Sequence, residues 1–103
     1  MNPMGVDGED VKEISISDMI ENIDNSTYVI VKDRAVLKDL PIKDFNFIER
    51  KDEHISSDKI NVMTVEMVKG MEFSNVLVVD KDLNRREQYV AFTRALNKLT
   101  VAR

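Results

Sequence analysis

Cysteine is absent from the 103 residues. That excludes a disulfide framework, a thiolate zinc site, an iron–sulfur cluster and thiol catalysis. Histidine occurs once, as His54, so a multi-histidine metal site is excluded as well. His54 lies in a polar stretch and is expected to be exposed and idle. No apolar run exceeds four residues, as at 28–31 and 76–79, against the roughly 20 that a membrane-spanning helix needs. The amino-terminal residues are acidic rather than basic and then apolar, which is not the pattern of a secretory signal. Positive charge is also scarce, with 15 Lys and Arg against 19 Asp and Glu and a net charge of −4. The imbalance sits in residues 1–51, which carry seven basic and eleven acidic residues; residues 52–103 carry eight of each. An acidic chain repels phosphate, so this one by itself is expected to be a poor nonspecific binder of nucleic acid.

What is present is the composition of a globular chain, 43% hydrophobic and 33% charged. The length suits one domain, in which folding removes roughly 65% of the unfolded chain's surface. With no disulfide to indicate otherwise, the default compartment is the cytoplasm. Residues 1–13 hold two of the three glycines, one of the two prolines and four acids, and read as a flexible lead-in to a domain over 14–103. Ser17 is placed to cap a short helix with Met19, Ile20 and Ile23 on one face. Residues 27–32 are a β-branched run, and Ala35, Val36, Leu37 and Leu40 suit a short helix ending before Pro41. Phe45, Phe47 and Ile48 suggest a strand, residues 49–59 a loop, and residues 60–65 a further strand. The apolar run at 75–79 has the character of a strand covered on both faces. Asp80 or Asp82 then precedes a helix predicted over 83–98, with Tyr89, Phe92, Leu96 and Leu99 at helical spacing, and 100–102 reads as a last strand. Buried-type strands alternating with helices predict an α/β fold with a mostly parallel sheet.

On such sheets, ligands bind in the crevice beyond the carboxyl ends of the strands. Two segments are candidates. In Thr64-Val65-Glu66-Met67-Val68-Lys69-Gly70-Met71-Glu72-Phe73 a glycine admits close backbone approach, Lys69 offers a cation and Glu72 can accept hydrogen bonds from sugar hydroxyls. In Tyr89-Val90-Ala91-Phe92-Thr93-Arg94-Ala95 an arginine interrupts an apolar stretch, and a buried unpaired guanidinium is costly. Each alone has a plainer reading: Lys69-Gly70 as a turn, Arg94 as the partner of a carboxylate, Tyr89 and Phe92 as core.

Taken together, these segments are more specific. Residues 62–76 resemble motif V of superfamily 1 helicases of the UvrD/Rep type, a pattern near T-x-H-x-x-K-G-L-E-F. Residues 85–95, Arg85-Arg86-Glu87-Gln88-Tyr89-Val90-Ala91-Phe92-Thr93-Arg94-Ala95, resemble motif VI, near R-R-L-x-Y-V-A-x-T-R-A. Both stand in the family's order. The resemblance covers 60–103 and extends weakly to 27–40.

The resemblance implies a RecA-like three-layer fold of the P-loop NTPase type, the second of two such domains. ATP would lie between the two, with its Mg²⁺ held by the first, N-terminal RecA-like domain, and single-stranded DNA would be ratcheted as the cleft closes. This chain has no G-x-x-x-x-G-K-[ST] phosphate loop, which on this resemblance makes it half of a motor. Carried over by motif, Arg94 would reach the γ-phosphate as an arginine finger, Glu72 would bind the ribose, and Gly70 would let the backbone approach the nucleotide. Thr64, Val65 and Glu66 would lie beside the DNA. Two residues depart from the pattern: Glu66 stands where histidine is common, and Glu87 where leucine is usual. The alternatives are a non-catalytic RecA-like interaction module and a helicase-like part of a nuclease complex. The purified chain, assayed for phosphate release from ATP with and without DNA, should show no hydrolysis, because the phosphate loop and the metal ligand are missing.

Overall fold

The β-branched and apolar runs become one parallel sheet. The computed structural model describes residues 11–24, 26–42, 44–50 and 54–103. Six strands, β1 (Val11–Ile14), β2 (Thr27–Val31), β3 (Phe45–Ile48), β4 (Ile60–Thr64), β5 (Phe73–Val79) and β6 (Ala95–Ala102), lie in the order β1-β6-β5-β2-β4-β3. Every neighbouring pair is parallel. The reason lies in the central strands: Val29 to Val31 and Val76 to Val79 are all buried, so consecutive side chains on both faces are apolar and both faces must be covered.

The coverings differ. One face carries Ile30, Met63, Val76, Val78, Leu99 and Val101, and is closed by Ala91 of helix α1 (Arg85–Phe92) with Val65 and Val68 of the segment between β4 and β5. The other carries Val29, Val31, Val62, Leu77 and Val79, and is closed by Met19 and Val36 of two 3₁₀ helices, Ile16–Asn22 and Arg34–Asp39, together with Leu40 and Ile42. The result is the expected three-layer α/β arrangement, with the sheet parallel throughout.

Several local expectations are corrected. The helix predicted over 83–98 ends at Phe92, and its second half is strand β6. Residues 95–102 gain a double set of ladder bonds between β1 and β5, where a helix would leave Phe73 and Val11 without partners. Tyr89 and Leu96 are therefore not core; they are 60% and 50% exposed, while Leu99, read as helical, is buried in the strand. The cap of α1 is Asn84, not Asp80 or Asp82; Asp82 has φ 65°, and Asn84 and Glu87 form a reciprocal capping box. Ser15, not Ser17, stands at the start of the first short helix. That helix is 3₁₀, so residues three apart eclipse; Ile16 and Met19 turn inward and Ile20 is left 53% exposed. Residues 11–13 of the expected lead-in belong to β1, and the rest of it lies outside the described residues.

A buried amide ties the loop before β4 to the sheet. Asn61 is 3% exposed. Its Nδ2 donates to the Ser56 carbonyl at 3.0 Å, and its Oδ1 accepts from the Ser56 N–H at 2.7 Å and from Asn46 Nδ2 at 3.0 Å. Asn46 Nδ2 also reaches the His54 carbonyl at 2.8 Å, so His54 contributes backbone while its side chain stays exposed. Replacing Asn61 by alanine strands these donors and acceptors. N61A should lower unfolding stability by about 1–3 kcal/mol, read from urea midpoints at unchanged m.

Candidate functional site

Residues 65–72 follow from the topology. β4 and β5 are parallel, so a chain leaving β4 at the carboxyl edge must recross the sheet to enter β5 at the amino edge. Val65 N–H donates to the Val31 carbonyl at 2.9 Å, and the Met67 and Val68 N–H groups turn back to the Thr64 carbonyl. The Thr64 hydroxyl accepts from Met67 N–H at 3.1 Å and the residue is 8% exposed, so this hydroxyl stabilises the turn. Val65 is buried, Glu66 is exposed, and Glu66 pairs with Lys69 at 3.0 Å. Gly70 has φ +81°, a left-handed conformation that glycine adopts without strain, and a Cβ built there would meet nothing within 4 Å. Glu72, exposed, immediately precedes β5.

Arg94 arrives at the same edge from the other direction. It lies in the turn between α1 and β6, with its N–H donating to Ala91 O and its carbonyl accepting from Phe73 N–H at 2.8 Å. The register pairs Phe73 with Ala95. Glu72 and Arg94 are thus brought together at the amino edge, and Thr64, Val65 and Glu66 lie at the carboxyl edge. The expectation that both candidate segments sit beyond the carboxyl ends is corrected: a connection between parallel strands has one end at each edge.

The Arg94 side chain is half-buried. Nη2 donates to Thr93 Oγ1 at 3.0 Å and Nη1 to the Met71 carbonyl at 3.3 Å, while Nε is buried with no acceptor. A buried donor without a partner costs about 1–3 kcal/mol. Among the described residues no carboxylate pairs with Arg94.

The carboxyl edge holds a polar network that the sequence reading missed. Lys32, just after β2, donates to both Glu87 carboxylate oxygens at 2.8 and 3.1 Å. Asp80, just after β5, accepts from Gln88 Nε2 at 3.0 Å and from Arg103 Nε at 2.9 Å; Arg103 also reaches Glu13 of β1. The first turn of α1 is therefore tied directly to the residues that follow β2 and β5, and through Asp80 to Arg103 after β6, and Glu87 is one of the ties. The Asn84-x-x-Glu87 spacing was a readable signal for it. Lys32, Asp80 and Arg103 carried no local signal, since their partners are distant in sequence. Among the described residues no group of three or more His, Asp or Glu is placed to hold a metal, and no helix is long and apolar enough to cross a membrane.

A parallel sheet covered on both faces is the α/β arrangement of a RecA-like domain. The family described as the viral superfamily 1 RNA helicase core domain matches residues 13–102, and the chain belongs to that family. No curated protein matches it.

The Asn84 N–H and Lys32 hold the Glu87 carboxyl below the usual glutamate value of 4.5, and Glu87 in turn raises the Lys32 ammonium above its usual 10.5. A depressed carboxylate contributes stability that is present above pH 4.5 and lost as the pH falls through the lower folded value. The raised ammonium contributes below pH 10.5 and loses its contribution as the pH rises past the higher folded value. In thermal melts E87Q should therefore lie below wild type from about pH 5 to 9, with the gap closing toward pH 2.

Proposed function

We propose that this domain is the second RecA-like half of an ATP-driven motor of the UvrD/Rep type, with residues 62–76 acting as motif V and 85–95 as motif VI. The observation that carries this reading is the pairing of Phe73 with Arg94 and Ala95, which joins the ends of the two segments at one edge. ATP would be shared with a phosphate-loop-bearing N-terminal RecA-like domain that also holds Mg²⁺. The residues present fit a polyanionic nucleotide: Arg94 Nε lacks an acceptor, the space beside Gly70 is open, and Glu72 is exposed.

ATP, when bound, supplies the phosphoanhydride whose cleavage drives the motor. Arg94 supplies positive charge where negative charge spreads over the transferred phosphoryl group, and it is preorganised rather than solvated, which is what makes such a group effective. Glu72 offers acceptors for ribose hydroxyls. Gly70 presents backbone without a side chain. At the opposite edge Thr64, Val65 and Glu66 line a track for single-stranded DNA. Val65 is buried, with its N–H held by the Val31 carbonyl, and serves to position its neighbours, while the Thr64 hydroxyl retains its own proton for a phosphate oxygen. Glu66 is partly neutralised by Lys69. Because residues 65–72 span both edges, a shift at the track moves the backbone on which Arg94 rests.

The test is nucleic-acid-stimulated ATPase of the native protein purified from its source, compared with R94A. Arginine fingers contribute roughly 10³–10⁵ in rate, and a loss of that order is expected. An unchanged rate would sink the motor reading in favour of a non-catalytic interaction module. Stimulation by DNA and by RNA oligonucleotides, measured side by side, decides which strand the track takes.

A further inference from the structure

A guanidinium has five N–H bonds, and those of Arg94 are unevenly matched. The firmest bond is Nη2 to the Thr93 hydroxyl at 3.0 Å; the Met71 carbonyl is met at 3.3 Å, and Nε–H meets nothing. The Thr93 hydroxyl itself lies 2.8 Å from the Tyr89 carbonyl and 3.1 Å from the Val90 carbonyl. A hydroxyl has a single proton. Donated to a helix carbonyl, it leaves only lone pairs facing Arg94, which is the polarity a guanidinium requires. Those carbonyls belong to the last turn of α1, and the first turn is fixed by the Asn84–Glu87 box and by Lys32.

We infer that Thr93 is a positioning residue for Arg94. Its hydroxyl transfers the fixed position of the α1 end to the guanidinium and sets the direction in which that group faces the amino edge. The Met71 carbonyl is the second, longer hold, and it belongs to the segment that recrosses the sheet. An anion reaching the amino edge offers Nε the acceptor it lacks, on the Nη2 side of the planar group and away from the Nη1 bond to Met71, while Nη2 stays on Thr93. The guanidinium then adjusts about its retained bonds instead of being ordered from solvent. This inference rests on the reading of Arg94 given above. It adds that the hydroxyl before the arginine, not the arginine alone, determines how well the charge is placed.

Two measurements test it. In ¹⁵N-labelled chain, Arg94 should give separate Nη resonances from restricted rotation, retained in T93S and averaged together in T93V; an unchanged T93V spectrum overturns the inference. T93A carries the same comparison should T93V fail to fold. In the native protein, T93V should lower kcat for ATP by about 10²-fold, the order expected when a reacting group is misplaced by about 1 Å, with KM near wild type and most activity restored in T93S. If R94A abolishes activity while T93V leaves kcat intact, the positioning role fails and the reading of Arg94 stands. If R94A itself costs nothing, the reading of Arg94 fails, and the resonance comparison alone decides whether Thr93 holds the guanidinium.

Discussion

The rest of the structure depends on one constraint: a parallel sheet that is apolar on both faces. Every strand must enter at the same edge, so each connection has to recross a face and cover it on the way. Residues 65–72 do this with Val65 and Val68, α1 with Ala91, and the two 3₁₀ helices with Met19 and Val36. Covering the core and linking the two edges are therefore the same task. A segment that buries valines in its middle has one end free for chemistry at the carboxyl edge and the other at the amino edge.

Polar groups fix the ends of those crossings, and hydrophobic burial fixes their middles. Glu87, Asn84 and Lys32 hold the start of α1; Thr93 ends it by returning its hydroxyl to the Tyr89 and Val90 carbonyls. Asp80, with its side chain 7% exposed, binds Gln88 and Arg103 and so joins α1 to the far end of β6. Directional bonds are needed there because apolar contact alone would let an eight-residue helix slide or rotate on the sheet. The unmatched Arg94 Nε stands apart from this well-satisfied pattern among the described residues.

Much of the fold was legible in the sequence. The β-branched run of β2, the continuous apolar run of β5 and the alternation of strands with short helices predicted a parallel α/β sheet, and those are the elements observed. The passage from α1 to β6 was misread because Tyr89, Phe92, Leu96 and Leu99 happen to fall at helical spacing. Periodicity cannot distinguish a continuing helix from a turn followed by a strand when the deciding bonds run to Phe73 and Val11, remote in sequence. The short helix expected after Ser17 was correct in kind but not in start or pitch, and the change of period is what exposed Ile20.

The candidate site divides in the same way. Residue identity and local spacing, which are written in the chain itself, singled out Gly70, Glu72 and Arg94 and the absence of a phosphate loop, while the capping pair Asn84 and Glu87 was readable but was passed over for Asp80 or Asp82. Only the tertiary structure decided that Glu72 and Arg94 share an edge, that Thr64 lies at the opposite one, and that Arg94 rests on Thr93 and the Met71 carbonyl. Side-chain chemistry is a property of single residues and their near neighbours. Which edge a residue occupies, and which backbone carbonyl it meets, depends on strand order and register, and those arise from burial summed over the whole sheet.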